Sequence, residues 1–242
     1  MIQKPDSCQS CIGWNWGGGF VPADGTGDNG CLVVLEAAGE QEEITGRPTF
    51  GPAGSYLWNQ LHRVGIEREG FKIHNVLSCR PPENKLSKMP YEHQVINYCA
   101  PNLDSTILNH VAHCKTVGKT PVIIALGKIA FARLMGVRSY DDVMKESYLA
   151  YPFWSHQYNA WILASHHPSF LMKGKQYLTP VVTYTFERAM EIANHGLILD
   201  TLNYIEDPEP ATFDNWVVDY FRHAEAYPDE TFLSYDIETP YK

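Results

Sequence analysis

The residues best placed by type and spacing to do chemistry are the six cysteines of this 242-residue chain. Cys8 and Cys11 form a C-x2-C pair, while Cys79 and Cys99 follow singly. A C-x2-C hairpin joined by two distant thiolates can hold a tetrahedral zinc or an iron–sulfur cluster, and the same cysteines can equally be ordinary buried thiols. Cys31 lies inside the apolar run "CLVVL" and reads as core; Cys114 reads as structural. Around Cys79, the stretch "HNVLSCRPPENK" (residues 74–85) brings an amide, a thiol, a guanidinium and two prolines into one turn. Two other stretches are as crowded, "EAAGEQEE" (36–43) and "SHHPSF" (165–170).

What positions these groups is legible in the apolar runs. Cys31–Leu35, Phe71–Leu77, Val122–Leu126 and Ala160–Ala164 read as buried strands. Helices are expected at Pro52–Val64, Tyr91–Val111, Gly127–Met135 and Thr183–Asn194. Pro52 suits a first turn, Leu57, Leu61 and Val64 share a face, and Gly65 ends that helix. Strands alternating with helices predict an α/β fold, a mostly parallel central sheet between helical layers. Ligands of such sheets sit at the carboxyl ends of the strands. The three crowded stretches all follow strands, so they are expected to converge on one site.

Charge divides the chain. Residues 197–242 hold 11 Asp/Glu and 2 Lys/Arg, the whole net charge of −9; the remainder carries 17 of each sign. Residues 1–196 read as one domain and 197–211 as an acidic, proline-bearing linker. Residues 212–242 read as the start of a second domain, with a helix at Thr212–Ala226 and a strand ending in Asp236-x-Glu238. The chain stops there, which reads as a fragment of a longer protein. No apolar run reaches membrane-spanning length, and the polar N-terminus lacks a secretory signal, so a cytoplasmic protein with reduced thiols is expected.

Four segments in order, "EAAGEQEEITGRPTFGPAG", "NVLSCRPPENK", "VIIALG" and "HHPS", resemble the iron–sulfur (family 4) uracil-DNA glycosylases. The resemblance runs from about Cys8 to Asn194. It implies the three-layer fold of that family and a [4Fe–4S] cluster on Cys8, Cys11, Cys79 and Cys99. It implies DNA containing uracil as partner, with the base flipped out of the stack. His167, which precedes Pro-Ser as in the family, would donate to the uracil oxygen as charge develops. Asn75 would read the base, Glu36 would orient water, and Glu42 would shape the pocket that Ala37 also lines. Arg47, Arg80, Lys85, Lys173 and Lys175 would meet phosphates. Leu35 and Ala38 stand where the family has Gly and Pro. The family's stacking phenylalanine aligns with Thr49, leaving Phe50, one place later, as the ring to cover the base. The tail "LSYDIETP" resembles the first motif of a polymerase 3′–5′ exonuclease, where Asp236 and Glu238 would hold a divalent metal in a full-length protein. The combined expectation is a glycosylase at the head of a DNA polymerase of the phage type, alongside other replication components. The competing expectation is a catalytically idle glycosylase fold that binds DNA or senses uracil for the polymerase.

Overall fold

The computed structural model describes residues 2–86, 91–137, 148–198 and, farther on, 215, 217, 218, 220–222 and 225. Residues 1–198 form one compact unit and 199–242 another. In the second unit the described positions between 215 and 225 are helical, within the helix expected there. Asp236 and Glu238 lie outside the described residues.

The first unit is built on a five-stranded sheet: β1 (Cys31–Ala37), β2 (Lys72–Leu77), β3 (Val122–Leu126), β4 (Pro152–Ser155) and β5 (Ala160–Ser165). Their order is β2-β1-β3-β5-β4. The first four are parallel, and β4 joins β5 antiparallel. The helices are α1 (Glu40–Thr45), α2 (Pro52–His62), α3 (Glu92–Thr116), α4 (Lys128–Met135), α5 (Pro168–Leu171) and α6 (Thr179–His195). The strands are apolar on both faces because both faces are covered. Leu32, Val34, Ile123, Ala125 and Ile162 pack with the Leu103 and Ile107 face of α3 and with α4. Val33, Leu35, Ile124, Leu126 and Leu163 pack with Leu57 and Leu61 of α2 and Phe186 of α6. This is the expected three-layer α/β arrangement.

The differences from expectation have local causes. β1 runs two residues past Leu35, so Glu36 and Ala37 belong to a strand rather than a loop. The acidic "EQEEIT" is a helix, α1, because Glu42 turns back to accept a hydrogen bond from Gly39 N–H at the helix start. α3 continues to Thr116 with Pro101 inside it, where the missing N–H leaves one carbonyl a turn earlier without its helical partner. α6 begins four residues early because Pro180 fits a first turn. β4 is a four-residue edge strand returned to β5 by a tight turn in which Asn159 has φ 54°.

Candidate active site

The strand register sets a row across the sheet. Asn75 of β2 lies beside Leu35 of β1, Val34 beside Ala125 of β3, and Leu126 beside Ser165 of β5. The residues that follow this row, Glu36, Gly127 and His167, therefore emerge along the same carboxyl edge.

His167 caps α5 from an extended backbone conformation (φ −69°, ψ 135°). Its Nδ1 accepts the backbone N–H of Ser169 at 3.2 Å and lies 2.8 Å from the Ser169 hydroxyl. A backbone N–H can only donate, so Nδ1 is unprotonated and the neutral ring carries its proton on Nε2. Burial pushes the imidazolium pKa down to about 4, and the Lys173 charge adds to the effect. The ring's position also depends on Gly127. That residue has φ 94°, and a Cβ there would sit 3.0 Å from His167 Cβ. A side chain at 127 would be strained and would press on the histidine.

Asn75 is 1% exposed, and its Nδ2 has no hydrogen-bond partner among the described residues. A buried, unmet amide donor is costly unless something completes it. His74, next in the strand, also has no partner for Nδ1 among the described residues, with Nε2 3.2 Å from Ser78 Oγ.

Glu36 is half-buried, and burial raises its carboxyl pKa; Glu92 raises it further and Lys173 opposes. Glu92 begins α3, is buried, and its Oε1 has no partner among the described residues. Sequence reasoning passed over Glu92, since nothing in its spacing ties it to Glu36. The Lys173 charge acts on both Glu36 and His167, which places the three in one neighbourhood.

The Gly46–Gly51 loop is organised differently from the expectation. Glu42 accepts Thr49 N–H at 2.6 Å as well as Gly39 N–H, so its carboxylate staples the loop to α1. Thr49 is buried at φ 63°, and its hydroxyl accepts from Trp58 Nε1 at 2.9 Å. α2 approaches it so closely that a Cβ on Gly54 would lie 2.0 Å from Thr49 O. Phe50 is exposed, with the Arg47 and Arg68 guanidinium carbons 4.3 and 5.1 Å from its ring centroid. Both arginines also pair with Asp24.

Of the other cations proposed for DNA, Arg80 lies 3.7 Å from Glu40 and 3.8 Å from Glu43, bracing the loop after β2 against α1. Lys85 pairs with Glu83 at 2.8 Å. Lys173 and Lys175 are exposed beyond α5, with Lys175 Nζ 5.6 Å from the Tyr177 ring centroid.

Cys8, Cys11, Cys79 and Cys99 line a single small pocket. Backbone N–H groups already point at two of the sulfurs, Gly13 to Cys11 and Ser78 to Cys99, both at 3.4 Å. Lys4 is buried beside them, and its ammonium donates to the carbonyls of Gly13, Trp14 and Trp16. Burial pushes the Cys79 thiol up to about 12, with Lys4 opposing and Cys99, Cys8 and Cys11 reinforcing it. Among the described residues, no three His, Cys, Asp or Glu side chains converge tightly enough to hold a single ion. Four thiols on one pocket, two of them facing backbone N–H donors, make a donor set that fits a thiolate-bound metal group. Cys31 and Cys114 are buried elsewhere, Cys114 with Sγ 3.4 Å from His110 Nε2.

Among the described residues no helix is long and apolar enough to cross a membrane. The chain matches the Uracil DNA glycosylase superfamily over residues 25–188, more than half its length. It is 37% identical over 102 residues to the Type-4 uracil-DNA glycosylase of Sulfurisphaera tokodaii, covering 42% of this chain and 44% of that one. For the Type-4 uracil-DNA glycosylase of Saccharolobus solfataricus the identity is 33% over 122 residues, covering 50% and 51%. For that of Pyrobaculum aerophilum it is 34% over 136 residues, covering 55% and 63%. The matches thus span about half the length of these curated relatives. A parallel sheet with Asn75, Glu36 and His167 along its carboxyl edge, and a family match running from before β1 into α6, make the chain a member of the uracil DNA glycosylase superfamily.

Proposed function

We propose that the protein hydrolyses the bond between uracil and C1′ of deoxyribose in DNA, on a base flipped out of the stack. The observation that carries this reading is the buried Asn75 amide whose Nδ2 has no partner among the described residues. Uracil O4 accepts from that amide group, and uracil N3–H donates to its oxygen. Cytosine presents the opposite pattern and leaves both buried groups unmet. As the bond breaks, negative charge gathers on the departing base, and the neutral Nε2–H of His167 is the donor that stabilises it. Ser169, by donating to Nδ1, fixes the tautomer and turns the proton-bearing Nε2 toward the base. Glu36, with its raised pKa, holds the attacking water and takes its proton. The names of the Type-4 relatives support the same activity.

Cys8, Cys11, Cys79 and Cys99 would hold the [4Fe–4S] cluster, which when bound supplies a covalent staple between the N-terminal segment, the loop after β2 and α3. What supports this reading is the donor set itself, four cysteines on one pocket with backbone N–H groups directed at two of the sulfurs. We further propose that the enzyme works in the cytoplasm at the head of a DNA polymerase. That reading rests on the resemblance of "LSYDIETP" to an exonuclease motif.

A second reading has its own support. Thr49 occupies the family's stacking position as a buried, hydrogen-bonded residue, and Phe50 is taken up by two guanidiniums. A pocket without that ring favours an idle fold that binds DNA for an attached polymerase. One experiment separates them: release of free base from single strands carrying uracil, cytosine or thymine, by wild type and Asn75→Ala. Activity predicts release of uracil alone, reduced about 100-fold or more in the variant. Binding without release by wild type would leave the second reading.

A further inference from the structure

Beyond α5 the surface opens into a groove that the site described above does not use. It is lined by Phe170, Tyr177, Tyr184, His166, Lys175 and Pro180, among others. Three of its rings are exposed: Phe170 at 42%, Tyr177 at 69% and Tyr184 at 52%. Large rings left facing water together mark a binding surface rather than a core. Among the described residues none that line it is acidic, and Lys175 supplies a cation. The groove is also continuous with the proposed site. His166 precedes His167, and its ring lies 5.5 Å from that of Phe170 at 32°. Tyr56 of α2 reaches the N-terminus of α6 through a 2.9 Å contact with Thr179 Oγ1, which fixes the groove wall to the α/β core.

We propose that this groove takes the unpaired bases of single-stranded DNA next to the flipped nucleotide, making a single strand the preferred substrate. The inference rests on the glycosylase reading for what occupies the neighbouring site. A strand whose uracil sits at His167 must continue past it. Flat aromatic faces accept any base by stacking, and a lysine meets the phosphates between them. A duplex offers stacked, paired bases and no free faces for Tyr177 and Tyr184.

The test needs no uracil and no catalysis. A short fluorescein-labelled oligothymidine, alone and annealed to its complement, is titrated with the full chain at low and moderate salt. The single strand is expected to bind more tightly than the duplex. Tyr177→Ala and Tyr184→Ala each weaken single-strand binding by about 5- to 100-fold. Tyr177→Phe, which keeps the ring, retains it. Lys175→Gln lowers the salt slope by about one unit. Because these side chains are exposed, unchanged thermal midpoints exclude misfolding as the cause. Leu108→Ala, at an exposed apolar position on α3 outside this groove, is the control and leaves binding intact. Equal binding by wild type and the tyrosine variants overturns the proposal, as does a preference for duplex. A self-association abolished by Tyr177→Ala with strand binding unchanged also overturns it, assigning the groove to a second copy. Loss of uracil release with intact oligothymidine binding would count against the glycosylase reading and leave the groove standing.

Discussion

At the scale of single residues the site depends on protons. His167 is neutral at neutral pH because its pKa lies near 4; as pH falls through that value Nδ1 takes a proton, loses the Ser169 N–H it accepts, and the ring that carries the Nε2–H donor is no longer held in place. The account predicts that uracil release declines on the acid side, and that His167→Ala lowers it by about 100- to 1,000-fold with little change in substrate affinity. Single-turnover release across pH checks both. Glu42 behaves otherwise. Its carboxylate accepts backbone N–H groups from Gly39 and Thr49, and truncation strands those donors. Glu42→Ala should cost about 2–4 kcal/mol in a urea titration, a structural cost and not a loss of base discrimination.

At the scale of elements, close approaches decide where loops can lie. A Cβ on Gly54 would overlap Thr49 O, so Gly54→Ala should push α2 off the loop and destabilise the protein by about 1–3 kcal/mol. Differential scanning calorimetry would show it as a lowered midpoint. The elements themselves were readable where periodicity was strong. "VIIAL" is a strand with the expected bounds, and the α2 face of Leu57 and Leu61 is buried as its spacing requires. Reading failed where tertiary contacts rule. No helix was expected over α1, yet one forms there, with Glu43 buried and its Oε1 accepting Gly18 and Gly19 N–H. β4 has four residues at a sheet edge, too few to show alternation. The site was legible in part for the same reason. Asn75 and His167 stand in motifs, whereas Glu92, Gly127 and the positive φ of Thr49 become meaningful only when strands and helices are assembled.

At the scale of the whole molecule, three histidines shielded from water tie stability to pH. Burial lowers His74, His110 and His167 to about 4. All are neutral in either state above about pH 6.5, and between there and 4 only the unfolded chain binds their protons. Stability should therefore fall as pH drops from about 6.5 toward 4, by up to a few kcal/mol. Glu36 and Glu42, whose pKa values burial raises, oppose that loss at its acid end. A shallower urea-midpoint slope in His110→Gln is the check. The four-cysteine cavity makes a second prediction at this scale. Protein carrying its cluster should be brown, and Cys79→Ala should lose iron and sulfide while Cys31→Ala, buried in β1, keeps both. A colourless wild type containing zinc would contradict the cluster. The central claim is that this edge of the sheet cleaves uracil from DNA. It is tested most directly by uracil release from a labelled single-stranded oligonucleotide, with His167→Ala measured beside wild type. The account predicts free uracil from wild type and a loss of about 100-fold or more in the variant; no release from wild type, or equal release from both, would contradict it.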